Sequence, residues 1–198
     1  MTSVNRRGLL FVLDGASAAG KTTLALALAA KKKNLTFVPR YTTRQPRAGN
    51  SDAAEYVFVP QEEFTEMAEA GAFIEHRCYD FGMSYGMPWK EVRSIIDQGH
   101  HAIGILNLDR IRELKAAIPE AVAILIDVSQ ETIRQRLLNR GTNSPEQIEE
   151  RLENARAVRR LRPYYDHAVE NEGDLDQVIR ALSDIIDAKV ALHSDGNF

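Results

Sequence analysis

The stretch GLLFVLDGASAAGKTTLALALAAKKK, from Gly8 to Lys33, decides the fold. Gly8 to Asp14 is a short continuous apolar run closed by Gly15, and Lys21 to Lys33 is rich in alanine and leucine, with good helix formers throughout. The reading is strand, glycine loop, helix. Between the two, Gly15-Ala16-Ser17-Ala18-Ala19-Gly20-Lys21-Thr22 matches the pattern G-x-x-x-x-G-K-[ST], and it stands where that pattern has a mechanism. Gly15 and Gly20 let the chain curl until successive N–H groups point at one phosphate, with the positive end of the following helix behind it. Lys21 is placed to reach the β and γ phosphates, and Thr22 to offer its hydroxyl to Mg²⁺. Gly15, Ala16, Ser17, Ala18, Ala19, Gly20, Lys21, Thr22 and Thr23 are therefore the candidate residues for binding a nucleoside triphosphate.

Working outward, the alternation returns: His101 to Leu106 reads as strand, Leu108 to Ala117 as helix, Ala121 to Val128 as strand and Gln130 to Asn139 as helix. Strands joined by crossover helices run parallel. Ala121 to Val128 (AVAILIDV) is apolar on both parities, as a strand covered on both faces must be, which places it in the middle of the sheet. Two stretches break the rhythm. Arg40 to about Pro88 holds the turn formers Pro46, Gly49, Asn50, Ser51 and Asp52, the strand-like Glu55 to Val59, the helix-like Glu62 to Ala70, and then Gly71, Gly82 and Gly86; it reads as an insertion projecting from the sheet. In Arg140 to Pro145, Gly141 ends one helix and Ser144 caps the next, with Pro145 at its first position and Gln147 three residues after the cap; it reads as a short mobile lid. A strand near Ala168 and Val169, an amphipathic helix from Asp174 to about Ala188 and a fraying polar tail complete the chain.

The 198 residues, 44% hydrophobic and 27% charged, suffice for one buried core and exclude disorder for the bulk of the chain. With 25 basic against 28 acidic residues there is no overall basic field to hold a long nucleic acid, so any bound anion is met by a local cluster. The single cysteine, Cys78, excludes an internal disulfide framework and a cysteine-built zinc site and fits a reducing, cytoplasmic setting. No apolar stretch reaches the length of a membrane span or a signal-peptide core.

One such cluster is present. Arg40-Tyr41-Thr42-Thr43-Arg44-Gln45-Pro46-Arg47-Ala48-Gly49 brings three guanidinium groups into one turn-rich segment, and the guanidinium fork grips phosphate bidentately; Tyr56 and Tyr85 add phenolic donors. Taken in order, GASAAGKT, YTTRQPRAG, EYVFV, EEFTEM, GAFIE and YG resemble the guanylate kinases, from about Leu9 to Leu182. The resemblance implies a three-layer α/β P-loop kinase fold: a parallel five-stranded sheet with helices on both faces, a core over 8–39 and 88–190, an acceptor-binding insertion over 40–87 and a lid at about 140–151, within a single domain spanning 1–198. It also implies that Arg44, Arg47, Tyr56 and Tyr85 hold the acceptor's phosphate and that Glu75 hydrogen-bonds the guanine edge. By the same resemblance Arg136, Arg140 and Arg151 are the lid arginines that close over ATP, and Asn171 matches a position near the adenine pocket.

Three positions depart from the family pattern. Arg40 replaces a serine, Met87 a serine or threonine, and Asn107 an aspartate, all of which help read guanine in the family; the spacing from Glu75 to Tyr85 is also one residue longer. The same changes resemble the sister ribose 1,5-bisphosphokinases, where an added arginine suits a second acceptor phosphate. Against that, the insertion keeps its full length from Gly49 to Tyr56, and Glu75 stands where that group commonly lacks a carboxylate. Arg40 and Asn107 thus join the acceptor-binding candidates, with GMP, another nucleoside monophosphate or ribose 1,5-bisphosphate as acceptor.

The expected chemistry is in-line transfer of the γ-phosphoryl group of ATP to an acceptor phosphate oxygen, with Lys21, Arg44, Arg136, Arg140 and Arg151 neutralising charge and Mg²⁺ on Thr22. The family's metal-shell aspartate is not evident, and Asp14 or Asp127 stands in as a candidate. A different class, the non-catalytic phosphopeptide-binding modules of guanylate-kinase shape, tends to lack a working phosphate loop, which is intact here. His100-His101 has no spaced metal-ligand partners; Cys78 reads as an unreactive thiol, and Arg156, Arg159, Arg160 and Arg162 as a solvated helix end.

Overall fold

The computed structural model describes residues 7–46, 54–79, 82–106, 110–141 and 143–195. The apolar run before Gly15 forms β1 (Leu10–Asp14), and α1 (Lys21–Lys31) follows its loop. Side chains alternate across β1: Leu9, Phe11 and Leu13 enter one apolar core and Leu10 and Val12 the other, as a strand covered on both faces requires. Beside β2 (Leu35–Phe37), β7 (His101–Ile105), β8 (Val122–Asp127) and β9 (His167–Glu170), it makes an all-parallel sheet of order β2-β7-β1-β8-β9. The larger core is built with α1, α5 (Gln130–Arg140), α6 (Pro145–Arg160) and α7 (Leu175–Ser194), and the smaller with α3 (Trp89–Ile96) and α4 (Ile111–Ala117). The chain steps to one side of β1 for β2 and β7, then to the other for β8 and β9. Its reversal point, at the carboxyl end of β1, is where open α/β sheets form their ligand crevice.

Between Arg40 and Pro88 the chain builds a second sheet of order β4-β3-β6-β5, from β3 (Arg40–Thr42), β4 (Tyr56–Phe58), β5 (Phe73–Cys78) and β6 (Ser84–Pro88), with α2 (Gln61–Glu69) alongside. The sequence suggested one strand here and the structure has four. The β5–β6 hairpin carries His76, Arg77 and Ser84 among its apolar residues, so the alternation that marks a half-buried strand is broken. Helix α3 was also not anticipated: it is only eight residues long and follows directly on β6. The expected cap of α6 is present, Ser144 and Gln147 satisfying each other's backbone N–H groups with Pro145 in the first turn. In the stretch read as a mobile lid, Thr142 lies outside the described residues; beyond it Ile148 and Leu152 lie in the larger core. Helix α7 continues six residues past the expected Ala188, because Val190 packs on the larger core and prolongs the apolar stripe.

Candidate active site

The loop after β1 is shaped by contacts that leave no room for side chains. A Cβ on Gly15 would stand 2.5 Å from the carbonyl oxygen of Ile126 in β8, and one on Gly20 2.7 Å from Nδ2 of Asn171. Gly20 has φ 91°, in the left-handed region that glycine adopts without penalty, and it leads straight into α1. Lys21 bends back over the loop and donates from Nζ to the carbonyls of Gly15 (2.7 Å) and Ala16 (2.8 Å). Burial pushes its ammonium down to about 8; Asp14 opposes that shift, while Arg40 and Arg140 add to it. Thr22 and Thr23 follow in the first turn of α1.

Arginines from the two later helices meet this loop. Arg136 in α5 donates to the carbonyls of Ala18 (3.2 Å) and Asn171 (2.9 Å), and Arg151 in α6 donates to Oγ of Ser17 at 2.6 Å. Arg140, at the end of α5, is near enough to act on the Lys21 charge. Asn171 is buried and donates from Nδ2 to the carbonyl of Ala19 at 2.8 Å, so its amide braces the loop from behind. These four residues, three of which bond loop residues 118 to 152 positions away, are brought to one place by the parallel order of the sheet.

Asp14 carries the loop on its other side. Sharing the parity of Leu10 and Val12, its side chain points toward the face that holds the second sheet. Oδ1 accepts from the Gly15 N–H at 2.6 Å and Oδ2 from the Tyr165 hydroxyl. Burial pushes this carboxyl up, against the hydrogen bond from Tyr165 and the charges of Lys21 and Arg40. Asp127, the other carboxylate weighed for a metal, is ion-paired with Arg159 (3.2 Å) and Arg162 (3.5 Å). Asp127 is thus committed to arginines at and just beyond the end of α6, while Asp14 lies beside the Lys21 charge.

The second sheet gathers the other anion cluster. The Arg44 guanidinium carbon lies 5.1 Å from the Tyr56 ring centre and 5.8 Å from that of Phe58, and the Tyr56 and Tyr85 rings meet edge to face at 5.9 Å. Two residues that sequence reasoning missed extend it: Tyr79 meets the Tyr85 ring at 5.9 Å, and Arg77 lies 4.8 Å over Tyr79. Their only signal was the hairpin that the sequence did not reveal. Arg47 and Asn107 lie outside the described residues.

Arg40 and Glu75, from β3 and β5, form a buried ion pair, Nη2 to Oε1 at 2.7 Å, with side chains 5% and 0% exposed. Burial pushes the Glu75 carboxyl up and Arg40 opposes that shift. Elsewhere, His101 Nδ1 accepts from the Leu9 N–H at 3.0 Å, and among the described residues no group of three or more His, Cys, Asp or Glu side chains is placed to hold a metal ion. No helix among the described residues is long and apolar enough to cross a membrane.

Comparison with known proteins bears directly on this arrangement. The family model for guanylate kinase matches residues 7–189. The guanylate kinase of Caldanaerobacter subterraneus subsp. tengcongensis is 36% identical over 189 residues, covering 94% of this chain and 90% of its own, and that of Symbiobacterium thermophilum is 38% identical over 188 residues, covering 93% and 87%. The crystal structure of guanylate kinase from Anaplasma phagocytophilum shares the fold, with a TM-score of 0.71 over 92% of this chain and 86% of that one, at 24% identity.

Proposed function

The chain belongs to the guanylate kinase family of P-loop nucleotide kinases, which use ATP, and from that premise we propose that it transfers the γ-phosphoryl group of ATP to the phosphate of GMP, yielding ADP and GDP. The observation that carries the choice of acceptor is at Glu75. Its Oε2 is buried without a hydrogen-bond partner among the described residues, while Oε1 is held by Arg40. A buried carboxylate oxygen left unsatisfied costs about 1–3 kcal/mol or more, which a ligand N–H relieves, and the guanine edge offers such donors.

In this reading the phosphate loop, with Lys21, binds the β and γ phosphates of ATP, and Arg136, Arg140 and Arg151 from α5 and α6 close over them as a lid. Asn171 borders the adenine. Arg44, Tyr56 and Tyr85, with Arg47, hold the acceptor phosphate, supported by their clustering on the second sheet. Mg²⁺ would be held by Thr22, with Asp14 as the carboxylate facing Lys21, and would supply neutralisation of the charge that develops during transfer. The acceptor phosphate is itself the nucleophile, so these residues need only align the two substrates and exclude water; no proton has to be abstracted. Asp80 to Phe81 and 107–109, near this cleft in sequence, lie outside the described residues.

The sugar bisphosphate reading draws on Arg40 as a grip for a second phosphate. Its guanidinium is already neutralised by a carboxylate at 2.7 Å, so a dianion brought to Arg40 also meets Glu75. Incubation with Mg²⁺-ATP and, in parallel, GMP, dGMP, other nucleoside monophosphates or ribose 1,5-bisphosphate, followed by ADP release, tests the proposal. GMP is expected to exceed the sugar by about 100-fold or more in kcat/KM, and Lys21→Ala to lower kcat by about 100-fold or more. Faster turnover of the sugar overturns the acceptor, and an unaffected Lys21→Ala variant overturns the loop assignment.

A further inference from the structure

Of Arg156, Arg159, Arg160 and Arg162, read from the sequence as a solvated helix end, three line a hollow in the structure. Between the start of α5 and the second half of α6 lies a cavity of about 420 Å³, lined by Val128, Gln130, Ala155, Arg156, Arg159 and Arg160. Its floor is apolar, since Val128 and Ala155 belong to the larger core. Its polar lining is one amide and three guanidinium groups, with no carboxylate among them. The carboxylates lie to either side. Glu153 meets Arg156 at 2.6 Å and Arg160 at 3.8 Å, and Asp127 meets Arg159 and Arg162. A second hollow of about 230 Å³, which shares Val128 and Arg159 with the first, is lined by Asp127, Glu170 and Glu172. Four guanidinium groups are thus ion-paired with two carboxylates, on a chain whose net charge is −3.

We propose that this cavity is a second anion site, outside the phosphate-transfer cleft, and that it takes the diphosphate group of a small molecule. None of Lys21, Thr22, Arg136, Arg140 or Arg151 lines it. Arginine in the last turn of a helix favours the negative end of the helix dipole, which accounts for Arg159 and Arg160 taken singly. It does not account for Arg156 and its neighbours three and four positions on, which share one helix face, bordering a hollow with an apolar floor. The Asp127 contacts are not hydrogen bonds: Oδ2, at 3.2 and 3.5 Å from Arg159 and Arg162, has no such partner among the described residues. A guanidinium fork that is not locked onto a carboxylate keeps donors for another anion. Phosphate oxygens are what such forks grip bidentately, and three of them within about one helical turn suit two linked phosphates better than one. The floor of Val128 and Ala155 leaves room for the apolar body of a carrier.

The test titrates inorganic pyrophosphate, and in parallel ADP, by calorimetry into protein that holds one equivalent of a non-hydrolysable ATP analogue. The unaltered protein is expected to bind pyrophosphate with an affinity that falls as salt is raised. Arg156→Gln/Arg160→Gln leaves both arginine partners of Asp127 in place and is expected to weaken that binding by about 10-fold or more. Arg134→Gln removes a positive charge from the same pair of helices but not from the lining, and is expected to change the affinity by less than about 2-fold. The affinity of each variant for the ATP analogue shows that it has folded. Pyrophosphate bound without ADP identifies a free anion as the ligand, ADP bound as tightly identifies a nucleotide, and either upholds the site. A protein that takes up neither, or a double variant that binds both as tightly as the parent, overturns it. Pyrophosphate held only within the phosphate-transfer cleft would give the second of these results.

Discussion

The two halves of the cleft are built from different materials. The donor half is mostly backbone: a curled loop whose glycines cannot carry a Cβ, a lysine held by two carbonyls, and arginines and an asparagine that donate to the loop's own carbonyls and to Ser17. The acceptor half is mostly side chain: Arg44 over Tyr56, a row of tyrosines, and one charge pair with no solvent around it. Backbone geometry tolerates little variation but recognises only phosphate, which every nucleotide has. Side-chain geometry is easily rewritten and is where substrate identity resides. The departures from the family pattern at Arg40 and Met87 accordingly fall in the acceptor half, while the loop motif is intact.

The sharpest way to break this contrast is to cut one ion pair from each half. Glu75→Leu leaves a guanidinium 5% exposed without its carboxylate, and the expected loss is about 3–5 kcal/mol of stability, read from the denaturant midpoint. The double variant Arg40→Met/Glu75→Leu should return to within about 1–2 kcal/mol of the parent, since two apolar side chains replace two compensated charges. Glu149→Ala, which breaks the Arg134–Glu149 pair at 2.5 Å between α5 and α6, should cost less than about 1 kcal/mol, because those side chains are 41% and 58% exposed. Equal losses for Glu75→Leu and Glu149→Ala would show that the buried pair is not the structural keystone of the acceptor half.

The same division explains what could be read from the sequence. The loop, the parallel sheet and the capped start of α6 were legible because each is a local pattern: glycines at fixed spacing, an apolar run, a Ser-Pro-x-Gln cap. The second sheet was only partly legible. Its strands are three to six residues long, and three of them mix charged or polar residues with apolar ones, so pairing rather than periodicity defines them. The Arg40–Glu75 bond joins residues 35 positions apart, and Tyr165 to Asp14 spans 151; no spacing rule connects such partners. The sequence marked Arg40 as an addition and Glu75 as a survivor, but not that the two answer each other. Arg77 and Tyr79 were passed over because their relation to Tyr85 exists only once β5 folds back on β6.

Lys21 gives the donor half a pH signature of its own. With its ammonium pushed down to about 8 in the free protein, binding of a triphosphate must pull the proton back. ATP affinity is expected to fall by up to about 10-fold per pH unit above 8, and binding at pH 8 to take up about half a proton. Calorimetric titration in two buffers of different ionisation enthalpy reads the uptake directly. Stability of the free protein responds in the opposite sense. An unfolded lysine at its ordinary 10.5 binds more protons than the folded one between about pH 8 and 10.5, so the Lys21 contribution makes the fold more stable as pH rises across that window. Constant ATP affinity from pH 7 to 9 would show that Lys21 is not held in a charge-suppressing position.

The smallest expected effect tests whether the loop's shape is relaxed. Ala18 has φ 64°, the sole non-glycine residue with positive φ among the described residues, and its carbonyl accepts from Arg136. An L-residue held there costs roughly 1–2 kcal/mol, so the loop conformation is maintained against its own preference by the contacts around it. Ala18→Gly removes that strain, offset by about 0.4–1 kcal/mol of extra unfolded-chain entropy and a little lost burial, since Ala18 is 8% exposed. The net is expected to lie between zero and about 0.5 kcal/mol of stabilisation. Ala27→Gly, nine residues on within α1, should instead cost about 1 kcal/mol, because glycine weakens a helix interior. The sign difference between two identical substitutions isolates backbone conformation from composition: a destabilised Ala18→Gly variant would mean that the methyl group, not the left-handed turn, is what the loop requires at that position.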